Sequence, residues 1–488
     1  MPRMLNSLLN IYSRLHIPRI PFRCMSASNT KVSRSRKNPS VFPPLPGDLP
    51  TGVSLINGVA RIPHYEAYRV LAAALTPEAA AHAPALRDEL PAIATHWLQS
   101  TDEAPIMLGA REGARWRQIL SCYAGAAIQG GAAEKASQPV PFTIDYSSLP
   151  FPPVAEPAFR FIDLFAGIGG FRLALQAQGG KCVFTSEWDK HAKNSYAKNH
   201  GEVPFGDITQ FTEQRDGIDP SFTGAIPKHA ILAGGFPCQA FSQAGRQMGF
   251  NDARGTLFFE ILKIARQLGP EVLFLENVKR LKSHDGGKTF VVIVNSLYEL
   301  GYKVYAKVLR AYDYGVPQNR ERIFIVAFKK PIHFEFPTPP ETRLYKDVGA
   351  MLEKKVDDYY TISDRLYAGH LRRQREHKER GNGFGFSVFK PDAPYTNTIS
   401  ARYWKDGSEI LIDQKKKNPR MLTPRECARL QGYPDEFQPH GSHTQAYKQF
   451  GNSVAVPVVS AIAASIFKWK TANKPATSFV DPFEPVIF

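Results

Sequence analysis

The stretch FRFIDLFAGIGGFRLALQAQGGKCVFTSE spans residues 159–187 and contains the pattern that decides the fold. The apolar run 159–165 predicts a strand, and Ala166-Gly167-Ile168-Gly169-Gly170 predicts a tight turn. Residues 171–178 have helical spacing, and residues 181–186 predict a second strand that ends at Glu187. A strand, glycine turn, helix and strand in this order are typical of α/β proteins that bind a nucleotide-like ligand.

Two features of this unit indicate the kind of ligand. The glycine spacing is Gly-x-Gly-Gly rather than Gly-x-Gly-x-x-Gly, which favours adenosine without a pyrophosphate. Glu187 lies 17 residues beyond Gly170, where a carboxylate can hold two ribose hydroxyls. A third apolar segment ends at Asp207-Ile208, which places a second acid at a strand end, within reach of an adenine amine. A turn that serves only chain reversal is the simpler alternative.

A cysteine follows the next predicted strand, residues 230–235, in the run Phe236-Pro237-Cys238-Gln239. A lone cysteine is most often a small buried hydrophobe. Cys238, however, lies at the expected ligand edge of the sheet, and a polar, glycine-containing loop follows it up to residue 255. The sequence therefore favours a reactive thiol at this position.

Charged side chains flank two further predicted strands. Glu276 comes directly after the apolar run 271–275, where a carboxylate is either solvated or buried with a raised pKa. Arg320 and Arg322 precede the run 323–328, and their spacing places them on the same side of a strand. Two such arginines can bind a phosphate or a base carbonyl, or form a solvated charge pair.

Composition limits the class of protein. The 488 residues carry a formal net charge of +16, which suits a nucleic-acid partner without requiring one. The apolar runs are too short for a membrane span, so a membrane-embedded protein is not expected. Five cysteines are odd in number and scattered, which argues against a disulfide framework or a zinc site and for a reducing compartment. No metal is expected.

The charge is distributed unevenly along the chain. Residues 1–47 hold eight Lys or Arg and no acid, and they predict a disordered basic arm, a transit peptide, or a leader upstream of a start at Met25. Residues 48–157 predict a helical extension, with helices at 65–74, 77–98 and 110–129 and a linker from residue 138. The predicted domains beyond it are 158–328, catalytic; 329–420, recognition; 421–470, a return to the catalytic domain; and 471–488, a tail.

Six ordered motifs extend this interpretation across residues 159–470, where the chain resembles the DNA (cytosine-5) methyltransferase family. Its closest resemblance is to Dcm-type and type II restriction-modification enzymes. The motifs are Phe165-Ala166-Gly167-Ile168-Gly169-Gly170, Pro237-Cys238-Gln239, Glu276-Asn277-Val278, Gln318-x-Arg320-x-Arg322, Arg425-Glu426-x-Ala428-Arg429-Leu430-Gln431-Gly432 and Gly451-Asn452-Ser453-Val454.

The resemblance implies an α/β fold: a Rossmann-like sheet that binds S-adenosylmethionine, a smaller target-recognition domain and the helical N-terminal extension. It also implies a cofactor site, in which the glycine turn shapes the methionine pocket, Glu187 holds the ribose and Trp188 stacks on the adenine. The cofactor residues implied are Phe165, Gly167, Gly169, Glu187, Trp188, Asp207, Ile208, Pro237, Leu257, Asn452, Ser453 and Val454.

The family reaction gives the four charged or nucleophilic residues distinct roles. Cytosine C5 is a poor nucleophile, so the Cys238 thiolate is expected to add to C6 of a flipped base and activate C5. Glu276 is expected to donate a proton to N3, and Arg322 to stabilise O2 with support from Arg320. The base that removes the C5 proton is not identified, and water is one candidate.

The resemblance also implies a duplex-DNA partner. Gln239 and Ser242 are candidates for filling the gap that a flipped base leaves. Residues 329–420 lack the family motifs and carry 19 basic and 13 acidic side chains, as expected of a recognition segment. Within them, residues 402–413 resemble Dcm-type enzymes that methylate the inner cytosine of CC(A/T)GG or CCNGG. The candidate DNA-reading residues are Arg402, Tyr403 and Lys405.

Three alternatives remain open at this point. An RNA methyltransferase is the first, because close relatives of the resembled family modify transfer RNA, although these usually lack so large a recognition segment. A DNA-binding transcriptional regulator is possible through residues 1–150, where no clear helix-turn-helix is found. A nicotinamide oxidoreductase is disfavoured by the glycine spacing. The favoured protein is a monomeric, nucleoid-associated enzyme of the bacterial cytoplasm that protects DNA in a restriction-modification system, with any endonuclease encoded separately.

Deleting residues 1–47 should leave the methylated DNA site unchanged, because this arm carries none of the six motifs. The test is bisulfite sequencing of DNA from cells that express the full or the shortened chain. A changed recognition site in the shortened chain would refute the prediction.

Overall fold

The computed structural model describes residues 52–74, 89–100, 109–128, 139–212, 226–237, 257–381 and 385–472. The basic arm 1–47, the loop residues Cys238, Gln239 and Ser242, and all but the first two residues of the tail 471–488 lie outside this part of the chain. The chain divides into two compact units, Met1–Ala73 with Ala114–Asp145, and Ala74–Gly113 with Tyr146–Phe488.

The helices and strands follow in chain order. The first half of the chain contains β1 (Ser54–Ile56), β2 (Val59–Pro63), α1 (His64–Ala74), α2 (Leu90–Gln99), α3 (Gly109–Ile128), β3 (Phe142–Asp145), β4 (Phe159–Leu164), α4 (Gly170–Gln176), β5 (Gly180–Ser186), α5 (Lys190–His200) and β6 (Ile231–Gly235). The second half contains α6 (Leu257–Leu268), β7 (Val272–Val278), α7 (Lys288–Glu299), β8 (Lys303–Arg310), β9 (Glu321–Phe328), α8 (Asp364–Glu379), β10 (Val388–Phe389), β11 (Leu411–Ile412), α9 (Pro424–Leu430), α10 (His443–Asn452) and α11 (Val456–Ala472).

The first unit is built on a small sheet that the sequence did not predict. β1 pairs with β2 in antiparallel fashion, and β2 pairs with β3 in parallel. The predicted linker from residue 138 is therefore wrong in part, because Phe142–Asp145 is a strand. Its alternating residues Phe142 and Ile144 favour a strand, but the proline and serine residues around them are typical of loops.

The second unit contains a six-stranded sheet of order β5-β4-β6-β7-β9-β8. The first four strands are parallel, and β9 runs antiparallel to both of its neighbours. Chain order reverses across β4, because β5 lies on one side of it and β6 on the other. At such a point the carboxyl ends of the strands border a crevice, which is where α/β sheets bind ligands.

The last helix of the described residues, α11, completes the core on one face of this sheet. Apolar residues of α11, among them Val459 and Ile462, pack with α4 and with the buried faces of β4 and β9. The segment His443–Lys468 has the length and composition of a membrane span, and 56% of its apolar window is buried within the fold. Its apolar residues pack in the core beside the sheet and in a second core, which accounts for its apolar character.

The segment 329–420 shares a second core with the C-terminal return. Val348, Ile399 and Ile412 from the former pack with Leu430 and Phe450 from the latter. A buried ion pair reinforces this contact, since Arg420 Nη1 and Nη2 each lie 2.7 Å from a carboxylate oxygen of Glu426. The two segments are therefore held together by both apolar packing and a bidentate pair.

Candidate active site

The glycine turn after β4 adopts left-handed backbone conformations. Phe165, Gly167 and Gly169 have φ values of +55°, +57° and +89°. Phe165 is the unusual member, because a bulky residue rarely adopts positive φ and such strain is concentrated at functional sites. A Cβ at Gly167 would meet no atom within 4 Å, whereas one at Gly169 would overlap the His200 imidazole. Open space therefore lies over Gly167.

Substituting Gly169 by alanine should lower the free energy of unfolding by roughly 2–4 kcal/mol, because left-handed strain and overlap with buried His200 add together. Gly167→Ala is the matched control, with the same backbone strain and no overlap, and should cost about 1 kcal/mol. Urea denaturation of the two variants measures the difference. Equal losses would contradict the packing seen at Gly169.

A buried carboxylate lies beside the turn. Glu187 Oε2 accepts the Gly167 amide at 2.8 Å, and Oε1 accepts the Asp189 amide at 2.8 Å. Burial raises the pKa of Glu187, and these backbone amides partly offset the increase. The next residue, Trp188, has 82% of its surface exposed, which leaves the indole ring available for stacking. The glycine turn and the acid are thus in direct contact, and the exposed indole follows the acid in the chain.

The local structure around Asp207 and Ile208 differs from the strand end that the sequence predicts. The segment before them forms only a single bridge to the sheet, between Phe205 and Ser186, instead of a strand. The Asp207 carboxylate accepts the Thr209 amide at 3.0 Å and caps the short 3-10 helix Ile208–Phe211. Local capping competes with extension of the strand, but the single bridge still places Asp207 at the edge of the sheet beside β5.

The C-terminal return closes over the first turn of α4. A Cβ at Gly170 would lie 2.5 Å from Val454 Cγ2, so the two segments are in direct contact. Ser453 Oγ lies 2.7 Å from the Tyr433 hydroxyl, and Asn452 is exposed. Sequence reasoning missed Tyr433, which carries no recognisable signal outside its contact with Ser453.

Glu276 and Arg322 form a largely buried charged pair between the inner strands β7 and β9, near the carboxyl end of β7. Arg322 Nε lies 3.1 Å from Glu276 Oε1, and the two side chains are 17% and 12% exposed. Glu276 lies within β7 rather than after it, paired in register with Gly235 of β6. Burial raises the pKa of Glu276, although Arg322 and then Arg320 oppose the increase. The carboxyl group is therefore poised to hold a proton more tightly than an exposed glutamate.

A side chain of β7 holds the residues that follow β6 and lead to Cys238. Asn277 Nδ2 donates to the Phe236 carbonyl at 2.8 Å, two residues before the cysteine. Pro237 is exposed and is the last described residue before the gap, and Leu257 begins α6 after it. Cys238 itself lies outside the described residues, but chain continuity keeps it within three residues of Gly235, the neighbour of Glu276.

Arg320 is buried and holds backbone from two distant segments. Its guanidinium donates to the carbonyls of Ile399, Gly451 and Ser453, at 3.2, 3.1 and 2.6 Å. Gln318 has a similar role, because it donates to the Leu430 carbonyl at 3.0 Å and accepts the Ile399 amide at 3.0 Å. Sequence reasoning anticipated a supporting role for Arg320 but did not predict these partners.

The three candidate DNA-reading residues differ in their exposure to solvent. Arg402 and Lys405 are exposed. Tyr403 is fully buried, its hydroxyl donates to the Ile410 carbonyl at 2.7 Å, and it accepts the Leu422 amide at 2.8 Å. The interpretation of Tyr403 as a DNA-reading residue is therefore wrong, because its ring belongs to the core.

Sequence relatives match this chain over much of their own length. A family model described as C-5 cytosine-specific DNA methylase matches residues 159–468. Type II methyltransferase M.SsoII of Shigella sonnei is 54% identical over 323 residues, 65% of this chain and 82% of that protein. Type II methyltransferase M1.ScrFI of Lactococcus lactis subsp. cremoris is 54% identical over 316 residues, 64% of this chain and 78% of that protein.

A solved structure has the same fold at low sequence identity. The Entamoeba histolytica methyltransferase EhMeth superposes with a TM-score of 0.51 at 22% identity, covering 63% of this chain and 98% of that one. This confirms the predicted methyltransferase fold, and the family match confirms the predicted enzyme class. The chain belongs to the C-5 cytosine-specific DNA methylase family.

Proposed function

We propose that this DNA cytosine methyltransferase acts on the inner cytosine of a CC(A/T)GG or CCNGG duplex, using the Cys238 thiol, the Glu276 carboxyl group and S-adenosylmethionine. The observation that carries the proposed chemistry is the largely buried Glu276–Arg322 pair beside Gly235. Cys238 follows Gly235, the last residue of β6, by three positions in the sequence, and Glu276 lies in the neighbouring strand β7.

The residues present around the glycine turn fit S-adenosylmethionine, which supplies the methyl group when bound. The space over Gly167 accommodates a ligand against bare backbone, and Trp188 offers an exposed ring for the adenine. Each Glu187 oxygen accepts one amide and retains a lone pair for a ribose hydroxyl. Phe165, Gly169, Asp207, Ile208, Pro237, Leu257 and Asn452 to Val454 complete the proposed site.

The proposed reaction begins at C6 of the flipped cytosine. The Cys238 thiolate adds to C6 while N3 gains a proton, which leaves C5 electron-rich enough to take the methyl group. Removal of the C5 proton then returns electrons to the ring, and the C6–S bond breaks to release the thiolate. The C5 proton passes to a base, for which water is the candidate, and the N3 proton returns to Glu276 as the thiolate leaves. The net change is replacement of the C5 proton by methyl.

Glu276 and Arg322 can stabilise the charge that develops on the base. A protonated Glu276 would donate to N3. Arg322, whose Nε lies 3.1 Å from Glu276 Oε1, would be near enough for its guanidinium to reach O2 of the same base. Arg320 is occupied by three carbonyls, so we assign it the positioning of the return segment rather than contact with the base.

We place duplex DNA against the recognition segment. Helix α8 exposes Arg365, Arg372, Arg375 and Lys378, which suit phosphate contacts. Arg373 Nη2 lies 3.1 Å from Asp406 Oδ2 and links this helix to the loop that exposes Arg402 and Lys405. That linkage supports a role for α8 in orienting the reading loop, while Gln239 and Ser242 would fill the space of the flipped base.

We propose that the enzyme acts as a monomer in the bacterial cytoplasm and protects DNA from a separately encoded endonuclease. Support comes from the type II names of its relatives in Shigella sonnei and Lactococcus lactis. Bisulfite sequencing of DNA from cells that express the chain tests the site. Protection of the inner cytosine of CC(A/T)GG or CCNGG is the expected result, and methylation confined to another sequence would overturn the proposed site.

A further inference from the structure

Helix α2 precedes the residues that match the family model, yet it is packed into the catalytic unit. All ten of its residues, Leu90–Gln99, are buried. The His96 ring lies 4.6 Å from that of Phe205, and its Nε2 accepts the Thr185 amide of β5 at 3.2 Å. Strand β5 is an outer strand of the large sheet, and α2 satisfies one amide on its outer side, next to the bridge that Phe205 forms.

Glu89, immediately before α2, contacts the segment between β5 and Asp207. Its two carboxylate oxygens lie 2.9 and 3.0 Å from the Gly206 amide nitrogen. A Cβ at Gly206 would lie 2.5 Å from Glu89 Oε1, so the approach depends on glycine at this position. Glu89 is only 5% exposed, and a hydrogen bond to a buried carboxylate is stronger than one between neutral groups.

Gly206 links the two acids proposed to hold the cofactor. On one side, the Phe205 amide donates to the Thr185 carbonyl and the Phe205 carbonyl accepts the Glu187 amide, both at 2.8 Å. On the other side, Asp207 caps its short helix. The Glu89 contact thus fixes the peptide that joins the ribose side of the site to the adenine side.

We propose that Glu89 is a positioning residue for the adenine end of S-adenosylmethionine, so that the N-terminal extension completes the cofactor site. The inference rests on the proposed cofactor function of Asp207 and Ile208. According to this proposal, Glu89, which lies outside the residues matched by the family model, influences the affinity for the cofactor.

Calorimetric titration of the full-length protein with S-adenosylmethionine tests the proposal. Glu89→Ala should raise the Kd about tenfold, because a charge-assisted hydrogen bond to the loop is lost. The rate at saturating cofactor and DNA should stay within about twofold, since the reacting groups are untouched. Glu89→Gln keeps one acceptor oxygen and should raise the Kd by only about threefold.

Gln99→Ala is the matched control on the same helix. Gln99 bonds to Arg172 and to the His200 carbonyl, away from the Gly206 loop, so its Kd should stay within about twofold of the parent value. An equal increase in the Kd for Gln99→Ala would overturn the proposal, because loosening of the whole helix would then explain the effect of Glu89→Ala.

A second variant tests the proposal if Glu89→Ala does not fold. Gly206→Ala should displace Glu89 through its new Cβ and raise the Kd as well. An unchanged Kd in Glu89→Gln and Gly206→Ala together would overturn the proposal. If the parent protein binds S-adenosylmethionine and Glu89→Ala binds equally well, only this inference fails. If the parent protein does not bind it, the proposed cofactor function fails.

Discussion

Cys238→Ser should lower the methylation rate by several orders of magnitude, on the order of 10⁴-fold or more, because a serine hydroxyl is a far weaker nucleophile than a thiolate. Duplex binding should persist, since the proposed phosphate contacts lie in the recognition segment. Single-turnover transfer of labelled methyl groups measures the rate, and gel shift measures binding.

Cys122→Ser is the matched control for this substitution. Cys122 is half-buried in α3, which carries none of the family motifs, and we expect the rate to remain within about twofold. Retention of activity by Cys238→Ser would mean that the nucleophile is a different group.

Glu276→Ala should lower the rate by about 10²–10³-fold, the usual loss when one donor to a developing charge is removed. The substitution also leaves Arg322 without its partner at 3.1 Å. Glu271→Ala is the control, because Glu271 is exposed just before β7 and faces no reacting group. An equal loss from both substitutions would contradict the role of Glu276 as proton donor.

The pH profile distinguishes a proton donor from a structural carboxylate. Because burial raises the pKa of Glu276 and the protonated form is the active one, activity should fall as the pH rises through that raised value. Glu276→Gln keeps an N–H donor that does not titrate in this range, so this falling limb should disappear from its profile. A falling limb that persists in Glu276→Gln would exclude Glu276 as its source.

Local periodicity predicted the nucleotide-binding unit well. The predicted strands 159–165 and 181–186 correspond to Phe159–Leu164 and Gly180–Ser186, and the predicted helix 171–178 to Gly170–Gln176. These elements depend on neighbouring residues: apolar runs for the strands, helical spacing for the helix, and glycines where the backbone is left-handed. Such signals are contained in a short window of sequence.

Contacts between distant parts of the chain could not be predicted in this way. Glu89 and Gly206 are separated by 117 positions, and Arg320 and Gly451 by 131. Tyr403 illustrates the same difficulty, since an aromatic residue between exposed basic residues is typical of a DNA-reading loop. Its ring packs in the apolar core that the recognition segment shares with the C-terminal return, and its hydroxyl bonds to Ile410 and Leu422 there; no local pattern encodes these contacts.

The most direct test of the central claim is a covalent trap at cytosine C6. A duplex whose target cytosine carries fluorine at C5 has no C5 proton to remove, so the elimination that follows methyl transfer is blocked and the C6–S bond persists. With S-adenosylmethionine present, the parent protein should form a stable adduct, and peptide mass spectrometry should map it to Cys238. An adduct on another residue, or methylation of ordinary duplex without any adduct on the fluorinated one, would contradict the account.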